Sequence, residues 1–172
     1  MATSLLTPNE TSTAKVDPRA GKYLVFHLGE EEFGIQVQKV REIMGVQDIT
    51  QVPQTPPHVK GVINLRGKVI PVVDLRLKFA MPAKEYTQRT CIIVVQVAGE
   101  RGIMLMGIVV DGVVEVLNIA GTDVEDTPSF GKEVEVPYVM GLAKLKGRVK
   151  ILLDIDQVMT ARELARLDLT AK

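Results

Sequence analysis

The chain of 172 residues has no tryptophan, a single cysteine, two histidines and seven aromatic side chains in all, three Tyr and four Phe. One cysteine, Cys91, excludes an intramolecular disulfide. His27 and His58 have no serine or cysteine near them in the sequence to form a nucleophile–base pair. His27, between Phe26 and Leu28, reads as a packed strand residue, and His58, after Pro56-Pro57, as a surface loop residue. No His/Cys/Asp/Glu cluster has metal-ligand spacing, and neither G-x-x-x-x-G-K-[ST] nor G-x-G-x-x-G occurs, so no cofactor is expected. Charge of one sign is lacking too: 21 Lys+Arg stand against 21 Asp+Glu. A nucleic-acid groove needs excess cations to displace counterions and exposed rings to stack on bases, and both are scarce here. Long apolar runs are also missing. The longest, Ile103 to Leu117, is broken by Gly107, Asp111, Gly112 and Glu115, and Met1 to Lys22 holds only Leu5-Leu6. Neither spans a bilayer nor forms a signal peptide, so a cytoplasmic protein is expected.

What the chain does have is a repeat. Val59-Lys60-Gly61-Val62-Ile63-Asn64-Leu65-Arg66-Gly67-Lys68-Val69-Ile70-Pro71-Val72-Val73-Asp74 returns 80 positions later as Val139-Met140-Gly141-Leu142-Ala143-Lys144-Leu145-Lys146-Gly147-Arg148-Val149-Lys150-Ile151-Leu152-Leu153-Asp154. Both copies run Gly-apolar-x-x-Leu-cation-Gly-cation-Val, then apolar residues, then Asp. Self-similarity at a fixed offset marks one structural unit used twice.

Around the repeats the pattern is that of strands. Tyr23 to Leu28 and Phe33 to Val37 read as strands about the polar turn Gly29-Glu30-Glu31-Glu32, and Gln38 to Met44 as a helical turn entering a strand. Pro53, Pro56 and Pro57 keep Ile49 to Pro57 irregular. Within the repeat, Gly67 supplies the positive φ of a tight hairpin and pushes Arg66 out at its tip. Thr90 to Val97 and Ile103 to Val110 are continuously apolar, as strands buried on both faces would be. Thr160-Ala161-Arg162-Glu163 is a capping box opening a C-terminal helix. About ten short strands in two similar sets imply an all-β chain, and small closed barrels remove the exposed edges such sets would leave. Two packed barrels are expected: the first mainly 22–82, the second mainly 88–153, with a helix at about 156–168. Residues 1–21 are expected to form a flexible N-terminal tail and 169–172 a short C-terminal one.

Asp74 and Asp154 end equivalent strands, and their symmetry points to capping of the turn or helix after each strand rather than to a catalytic carboxylate pair. Cys91 reads as an inert packed thiol. Two readings of Arg66 stay open on the residues alone: a solvated turn residue, or an exposed arginine on a rigid tip able to grip a partner. For Val40, Ile43, Val110 and Val116 core packing is the default, and only a groove between the halves would expose them.

Asn64-Leu65-Arg66-Gly67 with Val69-Ile70-Pro71-Val72-Val73-Asp74-Leu75 resembles the signature of the CheW family of chemotaxis coupling proteins. So do Leu24-Val25-Phe26 with Gly29-Glu30-Glu31-Glu32-Phe33-Gly34-Ile35, Val40-Arg41-Glu42-Ile43, and Gly107-Ile108-Val109-Val110-Asp111-Gly112-Val113. The likeness covers about Lys22 to Leu167 in order, within one domain at 22–167. It implies two SH3-like five-stranded β-barrels related by a pseudo-twofold, and an adaptor instead of an enzyme. The implied partners are the cytoplasmic tip of methyl-accepting chemoreceptors and the regulatory domain of the histidine kinase CheA. By position, Val40, Gly61, Asn64, Arg66 and Val116 would line or shape a receptor groove between barrels, Gly61 by keeping its wall low. Phe130 would serve barrel-to-barrel or kinase contact, or anchor its own loop. Coupling in a related non-flagellar chemosensory pathway is the alternative, and an oligonucleotide-binding barrel or an enzyme would be the readings of another class.

Overall fold

A computed structural model describes residues 17–99, 102–126, 138–145, 147–160 and 163. Eleven strands lie in them. β1 (Gly21–Leu28) and β2 (Glu31–Gln36) form a hairpin, and a 3-10 turn, Val37–Lys39, leads into β3 (Val40–Gly45). β4 (Val59–Leu65) and β5 (Lys68–Asp74) form the first repeated hairpin, followed by the one-turn helix α1 (Leu75–Lys78). β6 (Cys91–Gly99) and β7 (Gly102–Val110) pair throughout, and β8 (Gly112–Ile119) follows after Asp111 alone. β9 (Val124–Glu125), the repeated hairpin β10 (Val139–Leu145) and β11 (Arg148–Leu153), and the one-turn helix α2 (Ile155–Val158) complete the order.

The strands make two sheets, β8-β1-β2-β11-β10-β9 and β3-β6-β7-β5-β4. These are the two SH3-like barrels of the sequence expectation, one with the expected five strands and the other with six because β9 is added at its edge, and the pseudo-twofold is visible strand by strand. β2 pairs parallel with β11 as β7 does with β5, Gly34 lying opposite Leu152 and Gly107 opposite Val72. A bulge at Val139/Gly141 matches one at Val59/Gly61. Thr50, bridged to Val62, holds the place that β9 holds in the other sheet.

The sheets do not divide the chain as 22–82 and 88–153. Hairpin β1–β2 sits with β8 to β11, and hairpin β6–β7 sits with β3 to β5. Each half of the chain lends its first hairpin to the other half's barrel. The physical reason is visible in burial. Tyr23 of β1 faces inside one barrel, while Leu24, Phe26 and Leu28 face the contact between barrels, and these four and Val25 are all buried. Ile92 and Val94 of β6 point into the other barrel, and Ile93, Val95 and Val97 join the same central contact. A strand apolar on both faces stabilises the chain most when it lies between two cores. Among the described residues the central core holds eighteen buried apolar residues, against six and five in the barrel interiors. The contact between barrels is therefore the principal core, and neither barrel covers its own apolar surface.

Three of the four Phe residues and Tyr138 run through this core as one stack, Phe26–Phe33 at 5.8 Å, Phe33–Phe79 at 5.8 Å and Phe79–Tyr138 at 4.9 Å between centroids. Rings used this way are not a platform for bases.

Several local expectations are met. Asp74 Oδ1 accepts from the N–H groups of Arg76 and Leu77, and Asp154 Oδ1 from that of Asp156, so both carboxylates cap one-turn helices. Thr160 and Glu163 bond reciprocally, each side chain accepting the other's N–H, which is the capping box. The helix expected at about 156–168 is not continuous, since α2 ends at Val158 and Met159 is extended, while Phe130, Lys146 and the residues after Thr160 other than Glu163 lie outside the described residues.

Two expectations are corrected. His58 is not a loop residue in solvent: its side chain is 14% exposed and its Nε2 lies 3.0 Å from Glu163, whose other oxygen takes Lys78 at 3.0 Å. The last residues assigned to the N-terminal tail are tied down. The Arg19 guanidinium bonds Asp17, Asp126 and the Met140 carbonyl, and Tyr23 Oη donates to the Arg19 carbonyl at 2.6 Å. The Asp17 carboxyl is held at about 2 by the hydrogen bonds from Arg19.

Candidate functional site

The first repeated hairpin explains its own tip. Arg66 has φ +52° and Gly67 φ +87°, two consecutive left-handed residues, as a type I′ turn between twisted strands requires. Asn64 Oδ1 accepts the Gly67 N–H at 2.7 Å, so its side chain stabilises the turn it precedes. Sequence reading placed the positive φ on Gly67 alone. That Arg66 shares it has a consequence: the side chain leaves a fixed backbone, and its guanidinium is directed by the turn.

That guanidinium meets the Glu42 carboxylate, reaching from the hairpin of β4–β5 to β3 of the same sheet. Arg66 stays 69% exposed while Glu42 is 30% exposed. An ion pair so open to water contributes about 0–1 kcal/mol, less at high salt, so stability is not the main consequence of this contact. Its effect is to hold most of a five-donor fork ready at a rigid place. Ile43, next along β3, is also exposed, as is Val69 at the β5 side of the tip.

The remaining expected groove residues fall in different surroundings. Val40 opens β3, is half-buried and packs on the central core, so its default as a packing residue is partly met. Val116 lies on β8 in the other sheet, opposite Leu24, and is 55% exposed. Val40 and Val116 are thus carried by β3 and β8, which the twofold relates as the outermost strands of their sheets. Gly61 has a packing reason of its own. It sits at the bulge with φ +142°, and a Cβ there would come 2.0 Å from the Thr50 carbonyl oxygen. Thr50 and Val62 exchange both backbone hydrogen bonds at 2.9 Å, so the chain crosses where a side chain would be.

Sequence reading missed Glu42 as a member of this site. The signal was available only through β3 pairing, since Glu42 lies opposite Val94 and beside the bulge after Val40. The bulge turns Glu42 to the face where Arg66 arrives.

Among the described residues, no group of three or more His, Cys, Asp or Glu is placed to hold a metal. No helix among them is long and apolar enough to cross a membrane.

The chain is similar to known proteins along most of its length. Residues 22–163 match the family described as the CheW-like domain. The chain is 40% identical over 151 residues to "Chemotaxis protein CheW" of Klebsiella aerogenes, covering 88% of this chain and 89% of that one. It is 36% identical over 154 residues to "Chemotaxis protein CheW" of Rhizobium meliloti, covering 89% and 97%. Among solved structures, that of the scaffolding protein TtCheW from Thermoanaerobacter tengcongensis superposes with a TM-score of 0.73 at 32% identity, covering 84% of this chain and 97% of that one. With interlocked barrels, a repeated hairpin and likeness along nearly its whole length, the chain belongs to the CheW-like family.

Proposed function

We propose that this chain, a chemotaxis coupling adaptor, joins the cytoplasmic tips of methyl-accepting chemoreceptors to the regulatory domain of the histidine kinase CheA. It does so in the cytoplasm at receptor arrays, with no catalytic step of its own. The observation that carries the reading is the Arg66 tip: a guanidinium fixed by a left-handed turn and by Glu42, yet mostly open to solvent, beside exposed apolar residues of β3 and β5. Apolar area with one oriented arginine is what an amphipathic helix of a partner would bury. Val40, Gly61, Asn64, Arg66 and Val116 shape this receptor groove, Asn64 and Gly61 by holding backbone. Phe130 makes the barrel-to-barrel contact on the kinase side.

Reconstitution with a CheA-type kinase and a chemoreceptor signalling fragment tests this. Arg66→Glu should weaken receptor co-sedimentation by about 30-fold, the effect of losing a contact worth about 2 kcal/mol, while kinase binding persists. Equal behaviour of parent and variant would remove Arg66 from the groove. Failure of the parent to bind either partner would remove the coupling reading itself.

A further inference from the structure

Two ion pairs away from the Arg66 tip occupy matching places in the two halves. Matching is set by sheet register: Gly34 corresponds to Gly107, and the hairpin ends Gly29 and Ala98 correspond in turn. The 80-residue repeat makes Arg76 of α1 correspond to Asp156 of α2.

In one half, Asp111 forms the crossover from β7 to β8. Its carboxylate takes Arg76 Nε and Nη2, both at 2.9 Å, and also accepts the Gly29 N–H at 2.7 Å. In the other half, Lys39 ends the crossover from β2 to β3. Its ammonium lies 2.8 Å from Asp156, whose second oxygen accepts the Ala98 N–H at 2.9 Å. Lys39 falls one place past the residue that matches Asp111. In each half a carboxylate thus takes both a cation and the N–H at a hairpin end, and so joins the crossover, the second residue of a one-turn helix and the hairpin: the carboxylate is on the crossover in the first half and on the helix in the second. The charges are reversed: anion in the crossover and cation on the helix in one case, the opposite in the other.

This reversal shows what the arrangement conserves between the halves. No side chain is shared between the two ties, yet each closes the same three-way junction of crossover, helix and hairpin end. Partial burial strengthens both relative to a surface pair, the side chains being 13% and 8% exposed in the first and 24% and 25% in the second. At Asp111 burial works to raise the carboxyl, and the bonds from Arg76 and Gly29 outweigh it and hold it below the usual range.

The crossovers are where the chain leaves one sheet for the other. Lys39 directly precedes Val40, the first residue of β3, and Asp111 directly precedes Gly112, the first of β8. β3 carries Val40 and Glu42, the residue that orients Arg66, and β8 carries Val116. We propose that Lys39–Asp156 and Arg76–Asp111 are positioning pairs that aim β3 and β8, and through them the two walls of the groove. The functional half of this inference rests on the receptor reading above.

The full-length chain carrying Lys39→Met tests it, with Lys39→Arg as the conservative variant. Methyl resonances of Val40 and Val116 report strand position in the free protein, and co-sedimentation reports binding to the receptor fragment and to the kinase separately. Lys39→Met should shift the Val40 methyls, leave Val116 in place, and reduce receptor retention roughly 3- to 10-fold, with the melting temperature within a few degrees of the parent. Lys39→Arg should restore both the resonances and the retention. Unmoved Val40 methyls would overturn the positioning role. Shifted methyls with unchanged receptor retention would uphold the positioning pair and overturn its link to the groove. Loss of receptor and kinase together, unrestored by arginine, would mark general unfolding and overturn the proposal.

Discussion

A Gly61→Ala chain should melt about 10 °C below the parent, the largest effect expected of any single methyl group here. Two separate costs add at this position. The backbone has φ +142°, which a residue with a Cβ adopts only under strain of about 1–3 kcal/mol. The new Cβ would stand 2.0 Å from the Thr50 carbonyl oxygen and 2.7 Å from its carbon, both backbone atoms of a segment bonded twice to Val62. Relief requires that segment to leave the sheet, at a further ~1–3 kcal/mol. The total is a large share of the stability of a typical domain. Gly67→Ala is the control. Its φ is also positive, at +87°, but nothing lies within 4 Å of its added Cβ, so strain alone of about 1 kcal/mol is expected. Thermal melts of the two variants separate the terms, and equal melting points would mean the Thr50 crossing does not constrain Gly61. The same comparison bears on receptor assays. Loss of binding by a bulky residue at Gly61 would follow from displaced backbone as readily as from a filled groove, so only variants that keep the parent's melting point report on the wall.

Local features of this fold were legible because they depend on residues within a few positions. The tight hairpin, though not its type I′ form, followed from Leu-cation-Gly-cation, the caps from Asp at each strand end, and the double burial of β6 from its unbroken apolar run. The exchange of hairpins was not legible. Alternation tells which faces of β1 are buried, but the choice of β8 instead of β3 as its neighbour is settled by packing between distant segments. His58 was misjudged for the same reason, because its partner Glu163 lies 105 residues on. Arg19 is one cation among many in the sequence, and its bonds to Asp126 and Met140 span more than a hundred residues. In the site, Arg66 was marked by its turn, whereas Glu42 could be found only once β3 was placed. The positioning pairs escaped altogether, since reversed charges leave no repeated letter to notice.

Lys150→Met should cost about 3 kcal/mol or more in urea unfolding, whereas Lys150→Ile combined with Glu32→Leu should return the chain to within about 1 kcal/mol of the parent or above it. Lys150 is 2% exposed, its Nζ 3.0 Å from Glu32 and 3.3 Å from the Leu145 carbonyl. Removing it leaves the Glu32 carboxylate, 14% exposed, with Arg148 at 3.4 Å as its remaining ion-pair partner. A buried charge that loses its partner is far costlier than the absence of both. The other barrel supplies the apolar solution. Two residues back from the matched Gly34 and Gly107, the pair Glu32–Lys150 corresponds to Leu105–Ile70, and both of those belong to the apolar interior of that barrel. The pH dependence separates the two cases. The hydrogen bond from Lys150 holds the Glu32 carboxyl below its usual range, although burial pushes the other way. A carboxyl lowered in the folded state stabilises above its unfolded value, about pH 4.3, and that contribution disappears as pH falls through the lower folded value. The parent should therefore lose stability more steeply in acid than the Ile/Leu variant, which has no carboxyl there to protonate. A double variant as weak as Lys150→Met would mean that the ion pair shapes this barrel in a way its apolar twin does not reproduce.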